Sequence, residues 1–270
     1  MGFRDRFQNL KETVGQWADS SGGGSLDRKI ERNLAEMESG TEIERTAAVK
    51  ALVIQAQTDD KWADPIITSF LRVLPDQLAS PQEAIIDGLL ELRKVKVSRE
   101  EAIFETIQET LDSPYPSVRS KVVDIWTRFS LKSDAKTSDT IAVLFEMLSD
   151  DDKDIRYQTQ ESLSKILHSV PKVALPELKN ALADDDWRVK YHSIVLLTEF
   201  ARKYPDPSLA LAPEVIIAFG SGERLKERAA DCIGMLGLAS PDAVKASVPG
   251  LIQGLESKSS ELRKASATAL

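Results

Sequence analysis

Apolar residues return along this chain at an interval of about 36 residues, and that period leaves few folds open. Leu74, Leu111 and Leu148 stand 37 residues apart; Met37 extends the series backward, and Leu182, Phe219 and Leu255 continue it at steps of 34, 37 and 36. A second series runs in step with the first: Leu52, Leu89, Trp126, Leu163, Leu197, Ile233 and Leu270, at steps of 37, 37, 37, 34, 36 and 37. Two series locked to one period mark a solenoid, whose units bury their apolar faces on their neighbours.

Spacing within each unit predicts two helices. In the first, an apolar residue precedes the anchor by one turn: Phe70, Ile107, Leu178, Val215 and Leu251. In the second, a small or β-branched residue lies four positions before the anchor: Ala48, Val122, Thr159, Ser193, Ala229 and Ser266, with Ile85 the bulkier exception. Small side chains there let helices approach closely. No segment sustains period-2 alternation, so the expected fold is all-α. Polar tracts separate the paired helices: Asp112-Ser113-Pro114, Asp150-Asp151-Asp152, Asp184-Asp185-Asp186 and Ser221-Gly222. Asp and Ser there accept hydrogen bonds from the first amides of a helix, and Asp complements its positive end. An apolar–basic pair then follows: Val118-Arg119, Ile155-Arg156, Val189-Lys190, Leu225-Lys226 and Leu262-Arg263.

These units resemble HEAT repeats. That family's pattern is a first helix carrying Pro-x-Leu-x-x-x-Leu, a short acidic turn, and Val-Arg opening a second helix. Here it reads Pro176-Glu177-Leu178 to Leu182, Pro213-Glu214-Val215 to Phe219, and Pro249-Gly250-Leu251 to Leu255. The resemblance covers about residues 26–270 in seven units. The first two units depart most: Arg45 follows Glu44, and Gln82 follows Pro81. The resemblance implies a right-handed α-solenoid of about seven hairpins, with the second helices lining a concave side. It also implies an interaction scaffold more often than an enzyme. Pro176, Pro213 and Pro249 lie in or near the start of first helices, where proline kinks a helix.

The chemistry-bearing residues point the same way. The chain carries 35 Lys and Arg against 43 Asp and Glu, a net charge of -8, which argues against a general binder of nucleic-acid backbone. One cysteine and two histidines make neither an intrachain disulfide nor a Cys/His zinc set. Cys232 falls where other units have small packing residues. His168 and His192 have no nucleophile or carboxylate at motif spacing. Ser20–Ser25 is Gly-rich but is not followed by Lys-Ser/Thr, so it is no phosphate loop. The acidic triplets lack calcium-loop spacing. No catalytic residue, cofactor or metal is expected. There is no apolar run of spanning length and no secretory apolar core, so a cytoplasmic place is expected.

Numbering each second helix from its basic residue as zero sorts its faces. Positions +1, +2, +5, +9 and +12 face outward at 100° per residue. An acidic ladder at +5 includes Asp87, Asp124, Glu161 and Asp231, with Asp124–Arg128 and Glu161–Lys165 spaced as i,i+4 pairs. At +1, Tyr157 and Tyr191 occupy equivalent places in adjacent units, with Trp187 before and His192 after the second tyrosine. The candidate partner-binding residues are therefore Tyr157, Trp187, Tyr191, His192, Asp124 and Glu161. Packing between repeats and ordinary solvation are the competing readings. An acidic ladder fits a basic or helical segment of a protein partner.

Before the repeats, Phe3, Phe7, Leu10, Val14 and Trp17 form one helical stripe within residues 1–19, joined to the solenoid (26–270) by a Gly/Ser linker at 20–25. Capping the first repeat, docking in a partner's groove and lying on a membrane all compete for this stripe. At the other end Leu270 falls on an inward stripe, which suggests self-association through that end face or a longer native chain. Three functional classes follow: a protein-interaction scaffold, a membrane-associated adaptor or coat-like subunit, and, least supported, a HEAT-like enzyme resembling DNA glycosylases or phycobilin lyases.

Overall fold

A computed structural model describes residues 25–131 and 137–270, and the stripe of Phe3, Phe7, Leu10, Val14 and Trp17 lies outside the described residues. Among those described, every regular element is helical. The principal helices pair into seven hairpins, as the period predicts. The first helices are α1 (Ser25–Ser39), α3 (Ala63–Val73), α5 (Glu100–Glu109), α7 (Thr137–Glu146), α9 (Pro171–Leu182), α11 (Ala212–Ser221) and α13 (Val248–Gly254). The second helices are α2 (Glu42–Thr58), α4 (Ala79–Leu92), α6 (Pro116–Ser130), α8 (Lys153–Ser169), α10 (Trp187–Lys203), α12 (Glu223–Ala239) and α14 (Ser260–Ala269).

Contacts divide the chain into two compact units, Met1–Val122 and Val123–Leu270, the division falling within α6. In the first unit α1 packs on α2, α2 on α3 and α4, and α4 on α5. Ile30, Leu34, Met37, Leu52, Phe70, Leu74 and Leu89 are fully or almost fully buried there. In the second unit α8, α10, α12 and α14 pack in chain order, and so do α7, α9 and α11. Each unit is thus a stack of consecutive hairpins, the α-solenoid arrangement.

The residue four before each second-helix anchor is buried in every hairpin: Ala48, Ile85, Val122, Thr159, Ser193, Ala229 and Ser266. Small size at this place brings backbones together. Gly88 makes the same point, since a Cβ there would sit 2.7 Å from Val53 Cγ2 and 2.9 Å from the Phe70 ring. Most anchors are buried as expected. Leu111 is half-buried, displaced by the 3-10 turn Thr110–Asp112, and Thr110 is buried in its stead. Leu255 and Leu270, in the last hairpin, are exposed; Leu270 is 55% accessible, so its place on the inward stripe does not bury it.

Where an arginine opens the second helix, it closes the turn before it. Arg119 donates to the Ser113 carbonyl at 2.7 Å, Arg156 to those of Asp150 and Asp151, and Arg263 to those of Ser257 and Lys258. The two units that depart from the family pattern keep this device. Arg45 donates to the Gly40 carbonyl at 2.7 Å, and Gln82 reaches the Leu74 carbonyl at 3.1 Å through its amide. Carbonyls that end the first helix and its turn are otherwise left to water. The Asp and Ser side chains serve the opposite polarity. Asp150 and Asp184 accept from the amides of Asp152 and Asp186, and those two in turn cap α8 and α10.

Prolines break the first helices of the last two hairpins. Pro213 and Pro249 lie in the opening turns of α11 and α13. Ahead of each, a one-turn helix (Pro205–Ser208, Pro241–Val244) runs into a 3-10 turn (Leu209–Leu211, Lys245–Ser247). A proline ring has no N–H and clashes with the carbonyl four residues back, so the preceding helix cannot run on. Pro176 instead lies inside α9.

Leu163→Ala should cost about 2–5 kcal/mol in urea unfolding, because the residue is fully buried on the seam. Arg156→Met, which leaves two turn carbonyls to water, should cost about 1 kcal/mol.

Candidate functional site

The capped starts of α8 and α10 set the register of the aromatic residues beyond them. Tyr157 lies in the first turns of α8 and is 60% exposed, while Trp187 opens α10 and is 41% exposed. Tyr191, one turn further along α10, is half-buried. The structure brings these side chains together with two arginines of α12. Arg228 Nε donates to the Tyr191 hydroxyl at 3.2 Å, and its guanidinium lies 5.9 Å from the ring centre. Arg224 stacks over Trp187 at 4.5 Å, with Arg188 on the same ring at 5.8 Å. Three second helices therefore contribute to one rim of tyrosine, tryptophan and arginine, all within the second unit.

His192 does not belong to the exposed surface, contrary to its expected outward position. It is only 6% exposed. Its ring stands edge-on to Tyr157 (6.1 Å, 89°) and to Tyr191 (5.3 Å, 84°). Nδ1 lies 2.6 Å from Gln160 Oε1; an amide oxygen only accepts, so the ring donates through Nδ1. The cause of its burial is the step between hairpins: position +2 of α10 faces the preceding second helix. The same column does this elsewhere. Lys121 donates to Asp87 at 2.8 Å, and Gln158 to Asp124 at 2.9 Å.

That column changes the reading of the acidic ladder. Asp124 is exposed, but its carboxylate accepts from Gln158, and Arg128 bonds the Asp124 backbone carbonyl instead of the carboxylate. The expected Asp124–Arg128 ion pair is absent for that reason. Glu161 is exposed, one turn beyond Tyr157 on α8. Sequence reasoning placed Tyr157, Trp187 and Tyr191 together and missed Arg224 and Arg228. The signal for them was their recurrence at −2 and +2 of the next unit, beside aromatic positions.

Other groups are packing elements. Cys232 is fully buried, and burial pushes its thiol up to about 12. His168 stacks on Phe200 at 5.9 Å and leans on Tyr204 at 5.8 Å. Between α10, α12 and α14 lies an open cleft of about 490 Å3 bordered by Glu199, Arg202, Asp231, Met235 and Leu238. Among the described residues no three His, Cys, Asp or Glu side chains are grouped as metal ligands would be. No helix among them is long and apolar enough to cross a membrane.

Stacked hairpins with an open rim define a helical-repeat protein. Residues 99–203 match the family described as HEAT repeats. No curated protein matches the sequence significantly. Solved structures do match in fold. One is the karyopherin Kap121p bound to Nup53p, at 15% identity and a TM-score of 0.62, covering 100% of this chain and 33% of that one. Kap121p bound to the extreme C-terminus of the protein phosphatase Cdc14p matches at 14% identity and 0.60, with coverage of 100% and 33%. A structure of Kap95p binding to RanGDP matches at 14% and 0.55, covering 92% of this chain and 35% of that one. This chain spans about a third of the length of those chains. At these identities the likeness shows the fold.

The buried histidine predicts a pH response. Burial, aided by the charge of Arg156, pushes the His192 pKa down from 6.5 to about 4. The unfolded chain takes up the proton near 6.5, whereas the folded chain resists it to about 4. Stability from neutral His192 is therefore fully present above 6.5 and is lost as pH falls from 6.5 toward 4. His192→Gln should shrink the drop in Tm between neutral and acid pH relative to wild type, read by thermal melts across that window. Equal drops would refute the assignment.

Proposed function

We propose that the chain is a non-enzymatic, cytoplasmic interaction scaffold that takes a protein partner along the rim formed by the starts of α8, α10 and α12. The observation that carries this reading is the exposure of Tyr157 and Trp187 on neighbouring second helices that pack on each other. Tyr and Trp give large contact area at low conformational cost, and with Arg they are the residues that dominate binding at interfaces. An exposed rim accommodates an extended or helical segment and offers no enclosure in which a small substrate is shielded from water. Glu161, on the outward side of α8 beyond Tyr157, and Asp124 on α6 extend the proposed surface. Support by analogy comes from the similar karyopherin structures, which hold protein segments of Nup53p and Cdc14p.

A photo-crosslinking amino acid at position 157, expressed in the native cell, should yield one defined adduct, and the same group at exposed Arg28 should not. Combining it with Trp187→Ala should abolish the adduct while shifting stability by no more than about 1 kcal/mol. An adduct that ignores Trp187, or identical adducts from both positions, would remove the rim from consideration.

A further inference from the structure

The charges around Trp187 are unequal in one respect that bears on what binds there. Arg188 is held by carboxylates, with Asp186 at 3.4 Å and Asp151 at 3.8 Å. Arg228 is held by the Tyr191 hydroxyl, by Asp231 at 3.7 Å and by Glu227 at 3.8 Å. Arg224 is exposed, and among the described residues its one recorded contact is the face of Trp187. Stacking occupies the plane of a guanidinium and leaves its N–H edge open, and that edge matches a carboxylate. We propose that Trp187 and Arg224 together form the recognition point for a partner segment that carries a carboxylate side chain next to an aromatic or apolar one. The inference rests on the rim being the contact surface and adds the partner's chemistry.

Two features narrow the chemistry. The acidic side chains nearby are largely committed: Asp150, Asp152, Asp184 and Asp186 each accept a backbone amide in their turns. Each therefore has one acceptor site fewer to offer a basic partner, and Asp186 already spends its other oxygen on Arg188. At the same time Asp151 and Asp185 remain exposed beside the rim, so the patch is not uniformly cationic. A polyanion such as a nucleic-acid backbone needs several adjacent cations. A single carboxylate set beside an apolar side chain needs one, together with a ring to lie against. Glu223, which precedes Arg224 at the start of α12, is paired with Lys226 and leaves Arg224 uncontested.

The test uses the full chain and three labelled synthetic peptides that share one Phe. One bears Asp and Glu around it, the second bears Asn and Gln in their place, and the third bears Lys. Fluorescence anisotropy should show the acidic peptide binding roughly fivefold or more tightly than the amide version. Arg224→Glu should erase that preference, and Arg128→Glu, an exposed change on α6, should keep it. Trp187→Ala should weaken every peptide that binds. If acidic and amide peptides bind alike, or the Lys peptide binds best, while Trp187→Ala still weakens binding, the charge inference is overturned and the rim survives. If no peptide binds, or binding ignores Trp187→Ala, both are overturned. Preferential capture of a single-stranded oligonucleotide through Arg224 would likewise overturn it.

Discussion

The stack depends on the seam between successive hairpins, because no hairpin of this size can bury its own apolar face. One fully buried Leu or Ile contributes roughly 1.5–3 kcal/mol. Here such residues recur in every hairpin, and consecutive second helices such as α10, α12 and α14 pack on one another. The seam therefore constrains sequence twice. It demands a large apolar anchor such as Leu163 or Leu197, and a smaller side chain one turn before it, such as Thr159 or Ser193. The smaller residue sets how close the second helices come. Everything at the outward positions is then fixed relative to its counterpart one repeat away.

A seam alone would let hairpins splay, and the turns remove that freedom. The cation at the start of the second helix ties down carbonyls from the end of the first, while Asp or Ser ties down amides of the helix to come. Arg156 and Asp152 do this within a few residues of each other. Both ends of the turn are satisfied by side chains, so the angle within a hairpin becomes a property of local sequence. The same lock recurs at Arg45, Arg119 and Arg263. In the last two hairpins the residues ahead of the first helix form a one-turn helix and a 3-10 turn, set off by proline.

Fold was legible in the sequence because period, anchors and turn residues report the same repeat. Even the poorest matches, Arg45 and Gln82, were misfits of motif and not of physics: each finds a turn carbonyl with a different neighbour or functional group. The site was only partly legible. Helical angle placed Tyr157 and Tyr191 outward, yet it treats each helix as isolated. Position +2 looks outward on a single helix and meets the preceding helix in the stack, which is why His192 became an interior group. The expected Asp124–Arg128 pair fails for a related reason. Charge counting saw a carboxylate and a neighbouring arginine one turn away, but Gln158 from the next helix reaches the carboxylate first. Inter-repeat bonds of this kind have no signature at a fixed short spacing. They lie 32 to 37 residues apart and read as unrelated polar positions.

An acidic composition would ordinarily direct attention to basic partners, and the turn chemistry shows why that inference weakens here. Carboxylates in the Asp triplets are drawn into capping because a helix start offers unsatisfied amides at fixed geometry, worth about 1 kcal/mol each. Net charge counts them as free surface charge, although Asp150, Asp152, Asp184 and Asp186 each engage an oxygen locally. Cations in the same turns divide differently. Arginines at the basic position are consumed by carbonyls, whereas Arg188 and Arg224 at −2 find a carboxylate or a ring. Arg188 finds carboxylates as well as Trp187; Arg224 finds Trp187 alone. The rim thus carries an available positive edge on a protein of net negative charge, held against the exposed ring of Trp187. Local commitment of charges, more than their sum, decides which partner chemistry the surface can accept.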